Sequence, residues 1–325
     1  MRFLTLSLIV AVLVAPAAPA AEEKVKISPE AKKAIEKALE WLKDNQDKDG
    51  GWGNNTAVTS FAVLAFMSQG HVPGQGKYGP EVAKGVRNLL FSAREDGYLV
   101  GRGGNMYCHG MAALALTQVW GMTGDEEVKK VLKKSIALIC KSQNREGGWR
   151  YEPQPTGADI SVTIMQVMAL RGAKDSGLNV PKEVLDNAIA YINKCHDRRS
   201  GGYLYQPRSS GPGYARTAAG VCVLQLCGEY EAKQIEGAVK YMESVGEDRG
   251  HYWYGLYYAA HAFHQVGGKK WEEFYARMTK KLLATQKDTG GWRDSREAHV
   301  GPAYQTAIAV LVLSIPSHYL PIYQR

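Results

Sequence analysis

The sequence predicts an all-α fold in which six helical hairpins close into a ring. Three observations predict it: a glycine–aromatic turn that recurs along the chain, an amphipathic helical pattern before each turn, and an apolar helical pattern after it. A helix that is apolar all round has to be buried, whereas an amphipathic helix covers a core with one face. We therefore expect an inner layer of apolar helices and an outer layer of amphipathic ones.

The first twenty residues have the composition of a targeting segment. Arg2 is followed by an apolar run over 3–14, and the small residues Ala18 and Ala20 suit cleavage by signal peptidase. The run is too short to span a bilayer as a helix, and no later stretch approaches the necessary length. We expect a signal peptide over 1–20, one domain over 21–325, export to the periplasm or beyond, and no transmembrane segment.

The repeated turn is the strongest signal in the chain. Double glycines followed by an aromatic residue occur at 46–52, 143–149, 200–203 and 286–292, and a weaker copy occurs at 95–98. A sixth unit near 250–254 keeps its aromatic residues without the glycine pair. Glycine tolerates positive φ, so the pair can reverse the chain after a helix. The aromatic side chain is expected to cover the helix end, and the turn's glutamine to bond backbone groups left over there.

Helical patterns flank every turn. The first outer helix carries an apolar stripe of Ala34, Ile35, Ala38 and Leu39 between lysines and glutamates. Outer helices are predicted over 29–45, 81–94, 126–142, 181–194, 232–245 and 270–285, and inner helices over 59–67, 109–119, 163–170, 217–226, 256–266 and 306–313. A linear array would need polar capping repeats at its ends, and the terminal hairpins resemble internal ones. The hairpins are therefore predicted to form a closed (α/α)6 toroid.

Charge and cysteine content exclude some functions. The net charge of +8 falls to +7 without Arg2, and the lysines are scattered along outer helical faces, as is typical of a solvated surface. We expect no nucleic-acid partner. The five cysteines are an odd number and lie mostly in apolar helical patterns, so a disulfide framework is not expected. One bridge between Cys140 and Cys195 is conceivable, because both lie near the ends of successive outer helices.

The Q-x-x-x-G-G-W turns resemble the repeat of squalene–hopene and oxidosqualene cyclases. The same hairpin toroid occurs in protein prenyltransferase β subunits and in the thioester domains of complement and α-macroglobulin proteins. The resemblance covers nearly the whole chain after residue 20, and it implies the fold. These relatives carry out different chemistries, so the residues needed for each one have to be sought separately.

The sequence lacks the full set of catalytic residues for each of those three chemistries. Class II cyclases protonate an alkene with the central acid of D-x-D-D, and the comparable segment 157–163 contains Asp159 alone. The thioester motif C-G-E-Q is matched at 227–229, but Tyr230 replaces the glutamine. Prenyltransferases bind zinc, and no stretch reproduces their ligand pattern, so neither zinc nor another cofactor is expected. The zinc candidates considered are Cys108, His109, Asp159, His251 and His299.

The mouth of the ring is the candidate site that remains. Every inner helix follows the same kind of turn, so the six helix N-termini share one end, where anionic or electron-rich groups are favoured. The candidate ligand-binding residues are Tyr107, Tyr214, Arg216, Trp253, Tyr254 and Tyr304. If the mouth is catalytic, Asp159 with His109 or His251 forms the acid–base pair, and Arg216 holds an anion. Alternatively Asp159 is simply an N-cap, and the stripe Tyr257, Tyr258, His261 belongs to the core.

Three functions stay open at this point. The first is an exported toroid that binds a hydrophobic, isoprenoid-like small molecule at the mouth without D-x-D-D chemistry. The second is an enzyme of another class on an α/α toroid, such as a polysaccharide lyase, which needs a basic residue beside an acidic sugar. The third is a non-catalytic scaffold that presents its loops to a protein partner.

Overall fold

The computed structural model describes residues 25–323, apart from 102, 231, 248 and 249, so the expected signal peptide lies outside the described residues. The described residues form twelve α-helices, two short 3-10 turns and no β-strand. The helices are α1 (Pro29–Asp44), α2 (Thr56–Met67), α3 (Gly79–Phe91), α4 (Met106–Thr123), α5 (Glu126–Ser142), α6 (Ile160–Asp175), α7 (Lys182–Lys194), α8 (Tyr214–Leu226), α9 (Lys233–Val245), α10 (Tyr252–Val266), α11 (Gly268–Thr285) and α12 (Pro302–Ser314).

The even-numbered helices form a closed ring. Each packs against the next, from α2 through α4, α6, α8 and α10 to α12, and α12 packs against α2. The odd-numbered helices lie outside, and α1 packs against both α12 and α11. All twelve residues of α2 are buried, whereas α1 buries only one face, which includes Ala34, Ile35 and Leu42. The (α/α)6 toroid predicted from the sequence is confirmed.

In three of the turns, a tryptophan ties the outer helix to the inner helix that follows it. The Trp149 indole Nε1 donates to the Ile139 carbonyl at 2.8 Å, and the indoles of Trp52 and Trp292 make the equivalent bond at 2.7 and 3.0 Å. The Trp149 backbone N–H donates to Thr163 Oγ1 at 3.0 Å. The turn therefore caps the outer helix with its indole and fixes the inner helix through a threonine.

The inner helices begin three or four residues earlier than the sequence pattern predicts. Thr163 lies in the first turn of α6 rather than before it, because its hydroxyl accepts the turn's N–H instead of capping its own helix. Thr217 and Thr306 do the same for Tyr203 and Trp292, at 2.9 Å in both cases. These threonines therefore fix the preceding turn to the inner helix and do not cap that helix.

The last turn docks onto the first outer helix. Gln286 Nε2 donates to the Gly290 carbonyl at 2.7 Å and to the Ala34 carbonyl of α1 at 2.8 Å. Gly290 has φ +96°, and a Cβ at this position would lie 2.5 Å from the Lys37 carbonyl oxygen. Glycine is therefore required both by the backbone conformation and by the close approach of α1.

The C-terminal residues close the end of the barrel opposite the turns. The Tyr323 ring stacks on His261 with 3.5 Å between centroids, and the Tyr323 carbonyl accepts a hydrogen bond of 3.1 Å from Gln265. The Ile322 N–H donates to Gln118 Oε1 at 3.0 Å. These contacts fill the end of the barrel opposite the turns.

Two further expectations concern cysteines and membranes. All five cysteines are free, so the bridge considered between Cys140 and Cys195 is absent. Within the described part of the chain, no helix combines the length and the apolar character that crossing a bilayer requires.

Candidate functional site

A cavity of about 490 Å³ opens at the end of the barrel where the inner helices begin. Its volume is in the range of roughly 300–1,000 Å³ that is usual for small-molecule sites. Four of the residues predicted for the mouth line it, namely Tyr107, Arg216, His251 and Tyr254. The other lining residues are Tyr151, Ser161, Val162, Tyr205, Gly213 and Ala215.

Two tyrosines of the cavity come from loops that the sequence analysis passed over. The hydroxyls of Tyr151 and Tyr205 are 2.7 Å apart. The Tyr151 carbonyl accepts the Met106 N–H at 2.9 Å, and the Tyr205 carbonyl accepts the Ile160 N–H at 3.0 Å, so both loops are tied to inner-helix N-termini. Loop residues follow no helical period, but both tyrosines lie two positions after a turn aromatic, which is a signal that could have identified them.

Asp159 lies fully buried at the start of α6 and does not line the cavity, whereas Ser161 and Val162 of the same helix do. Its Oδ1 accepts the Val162 N–H at 3.0 Å, so it is the N-cap of α6. Burial raises the pKa of the Asp159 carboxyl, although this hydrogen bond, the Tyr205 hydroxyl and the charge of Arg150 partly offset the effect. The carboxyl group therefore keeps its proton to a higher pH than an exposed aspartate.

The start of α8 forms the positively charged corner of the cavity. Its N-cap is Gly213, which has no side chain to cap the helix. The Arg216 Nη2 donates to the Gly211 carbonyl at 3.0 Å, while its Nε is buried without a hydrogen-bond partner. A Cβ at Gly213 would lie 2.9 Å from Arg216 Nη2, so the missing side chain makes room for the guanidinium over the helix N-terminus.

Tyrosines also form the cavity floor and fill the barrel below it. The ring centroid of Tyr254 lies 6.1 Å from that of Tyr107 and 4.9 Å from that of Tyr258. The Tyr258 hydroxyl donates to Met165 Sδ at 2.6 Å, and Tyr257 packs edge-on against Tyr258 at 5.0 Å. Burial raises the pKa of Tyr254 and Tyr258, so both stay neutral. The cavity is thus confined to the mouth.

Three of the predicted mouth residues lie in the core beside the cavity. Trp253, Tyr214 and Tyr304 are all buried and do not line it. Glu297, which the sequence analysis did not single out, caps α10 by accepting the N–H groups of Trp253 and Tyr254 at 2.5 and 3.3 Å. Its Oε1 accepts the Tyr304 hydroxyl at 3.4 Å, and burial raises the pKa of the Glu297 carboxyl.

His109 lies away from the cavity and is fully buried. Its Nδ1 accepts the Leu99 N–H at 3.0 Å, and its Nε2 lies 3.3 Å from the Ser135 carbonyl, so both ring nitrogens are engaged. Burial lowers the pKa of His109 to about 4. His109 thus takes the place that a threonine has at four of the other turns. Of the two histidine candidates, only His251 lines the cavity. Among the described residues, no group of three or more potential ligands could hold a metal ion.

Comparison with known proteins gives one relative that is similar in sequence and solved structures that are similar in fold. Drimenyl diphosphate synthase from Streptomyces showdoensis is 26% identical over 187 residues, which is 55% of this chain and 33% of that protein. This chain therefore spans about a third of that relative's length. The α-1,6-mannanase GH76A of Salegentibacter superposes with a TM-score of 0.67 at 10% identity, covering 90% of this chain and 100% of that chain.

The type II terpene cyclase MstE from Scytonema, in complex with geranylgeranyl dihydroxybenzoate, superposes with a TM-score of 0.64 at 14% identity. The match covers 90% of this chain and 98% of that chain. At such low identities the solved structures show the fold alone. The family model described as the prenyltransferase alpha-alpha toroid domain matches residues 105–244 and 243–325, which is more than half of the chain. The protein therefore belongs to the prenyltransferase alpha-alpha toroid domain family.

Proposed function

We propose that the mouth cavity binds a small molecule with an apolar, isoprenoid-like body and an anionic head group. The observation that carries this proposal is the Arg216 guanidinium lying over the N-terminus of α8. A helix N-terminus has a positive partial charge, so a cation beside it is unfavourable unless an anion joins the two. The two groups together make a site in which an anion is stabilised by both charge and hydrogen bonds.

The rest of the cavity suits an apolar body. Four tyrosine rings line it, and the neighbouring Val162 and Ala215 add apolar surface. Aromatic rings offer large contact areas, and their hydroxyls provide the few polar groups that orient a ligand. Unsaturated, branched carbon chains fit such walls, and the terpene cyclase neighbour is bound to a geranylgeranyl compound.

Binding rather than cyclisation is the function we propose. Asp159 is a buried carboxyl with a raised pKa, but its Oδ1 caps α6, and Asp159 is not itself among the residues that line the cavity. The D-x-D-D motif has two further carboxylates, and the segment 157–163 has none beside Asp159. Asp159 thus holds the wall of the cavity in place.

Calorimetric titration tests this proposal. Farnesyl diphosphate, geranyl diphosphate and uncharged farnesol are titrated into the full chain and into the variants Arg216→Ala and Tyr151→Ala. We expect both diphosphates to bind, and farnesol to bind at least about tenfold more weakly, a difference of about 1.4 kcal/mol. Arg216→Ala should remove that preference, whereas Tyr151→Ala should weaken all three ligands because it removes apolar contact.

The matched control is Arg87→Ala, which removes an exposed arginine from α3 on the outer surface. It should leave all three affinities unchanged, so a general charge effect is distinguished from a local one. Failure of every isoprenoid to bind would remove the proposal. Equal binding of the diphosphates to the protein with and without Arg216 would remove the role of the charged corner.

We also propose that the protein works outside the cytoplasm. The support is the composition of residues 1–20, with Arg2, an apolar run and small residues at 18 and 20. Mass spectrometry of the protein from a cell that exports it should give a mature chain beginning at Ala21. A cytoplasmic chain that retains Met1 would contradict the proposal.

A further inference from the structure

A second pocket lies at the same end of the barrel, beside the first turn rather than at the axis. It has a volume of about 280 Å³ and shares no lining residue with the mouth cavity. The first turn, the start of α2 and the end of α3 form it. Five polar side chains and one aromatic side chain are among those that line it: Asp49, Asn54, Asn55, Asn88, Ser92 and Phe91.

Phe91 is the aromatic side of this pocket. It is the last residue of α3, and 87% of its surface is exposed, more than for any other large apolar side chain described. A single exposed aromatic residue is ordinary on a protein surface. What sets Phe91 apart is its position at the rim of a pocket whose other side chains are almost all polar.

The polar side chains are held by the backbone and keep part of their hydrogen-bonding capacity. Asn55 Oδ1 accepts the Ala57 and Val58 N–H groups at 2.9 and 3.2 Å, so its Nδ2 is the group that it can offer to a ligand. Asn88 Nδ2 donates to the Asp49 carbonyl at 3.4 Å, which fixes the amide and leaves its Oδ1 as an acceptor. An amide and a carboxylate together supply both donors and acceptors.

We propose that this pocket binds the ring of a neutral saccharide, with the C–H face of the sugar against Phe91 and its hydroxyls bonded to Asn55, Asn88 and Asp49. The lining includes no lysine or arginine, and the Asp49 carboxylate would repel an anion. An apolar ligand would cover the amide groups of Asn55 and Asn88 without bonding them, which is unfavourable. A neutral ligand rich in hydroxyls satisfies the amides, the carboxylate and the ring together.

The test is saturation-transfer NMR on the full chain with glucose, mannose, N-acetylglucosamine and glucuronate. We expect at least one neutral sugar to bind with a dissociation constant on the order of 1 mM, and glucuronate to bind more weakly. Phe91→Ala should weaken binding at least about tenfold, because it removes the one aromatic face of the pocket against which the sugar ring packs. Phe91→Trp should retain binding because it keeps an aromatic face.

Controls separate this pocket from the mouth. Val245→Ala removes another exposed apolar side chain, which is 52% exposed, and it should change nothing. Arg216→Ala should also leave saccharide binding intact, so the proposal can fail or succeed independently of the mouth. Absence of transfer to every neutral sugar, or unchanged binding in both Phe91→Ala and Asn88→Ala, would overturn it.

Discussion

The contact between the last turn and the first outer helix makes ring closure measurable. In Gln286→Ala, the hydrogen bonds of Gln286 Nε2 to the carbonyls of Ala34 and Gly290, at 2.8 and 2.7 Å, are both lost. A hydrogen bond of this kind contributes about 1 kcal/mol to the free energy of unfolding, so we expect a loss of roughly 2 kcal/mol.

The same substitution inside the ring provides the reference. Gln143 Nε2 donates to the Gly147 carbonyl at 2.9 Å and to the Val184 carbonyl of the next outer helix at 2.8 Å. In a closed ring the two junctions are equivalent, so Gln143→Ala and Gln286→Ala should cost the same. In an open array, Gln286 would have no outer helix to bond, and its substitution would cost about half as much or less.

Urea unfolding followed by far-ultraviolet circular dichroism measures the difference. Gln154→Ala is the control, because Gln154 is exposed in a loop, and its stability should stay within about 0.5 kcal/mol of the wild type. A Gln286→Ala variant that loses about 1 kcal/mol or less, while Gln143→Ala loses roughly 2 kcal/mol, would refute the closed ring.

Two further predictions concern buried titrating groups. Asp159→Asn keeps the cap on α6 but cannot ionise. Burial raises the pKa of Asp159 above its ordinary 3.8, so the folded state binds more protons than the unfolded state, and the wild type should lose more stability than Asp159→Asn as the pH rises past 3.8. In the second, burial lowers the pKa of His109 from 6.5 to about 4, so the unfolded state binds more protons than the folded state between these pH values. Acidification through this range should lower the free energy of unfolding of the wild type by about 3 kcal/mol, and His109→Gln should remove that loss.

Denaturant titrations at closely spaced pH values check both predictions. The readout is the slope of stability against pH, so a constant loss from imperfect packing in either variant does not affect it. Equal slopes for wild type and Asp159→Asn above pH 3.8 would contradict a raised pKa. A wild-type stability that does not change between pH 6.5 and 4 would contradict the neutral, buried state of His109.

The sequence predicted the architecture because the fold depends on features with a period. Outer helices show one apolar face, inner helices show no polar face, and the glycine–aromatic turns separate them. Helix starts were predicted less well. Thr59 and Thr163 each accept a hydrogen bond from the backbone N–H of a turn tryptophan seven or fourteen residues earlier in the chain, so they do not mark the first residue of their helix. The C-terminal plug at Ile322 and Tyr323 was missed, since its contacts with Gln118 and Gln265 follow no local pattern.

The site was predicted in part for the same reason. Tyr107, Arg216 and Tyr254 line the cavity because they lie in the first turns of inner helices, where the common direction of those helices brings them together. Tyr214 and Trp253 lie in the same first turns, but the helix rotation directs them into the core. That rotation depends on packing between neighbouring helices, so it cannot be read from the sequence pattern of one helix alone.

The start of α8 differs from the starts of the two inner helices beside α8 in the ring, α6 and α10. All six inner helices point the same way, so their positive ends meet at the mouth and each favours a negative group. In α6 that group is Asp159, and in α10 it is Glu297. The helix between them starts at Gly213, which supplies no such group, and Arg216 adds a further positive charge. On our proposal, an anionic group of the ligand takes at α8 the place that Asp159 takes at α6 and Glu297 takes at α10.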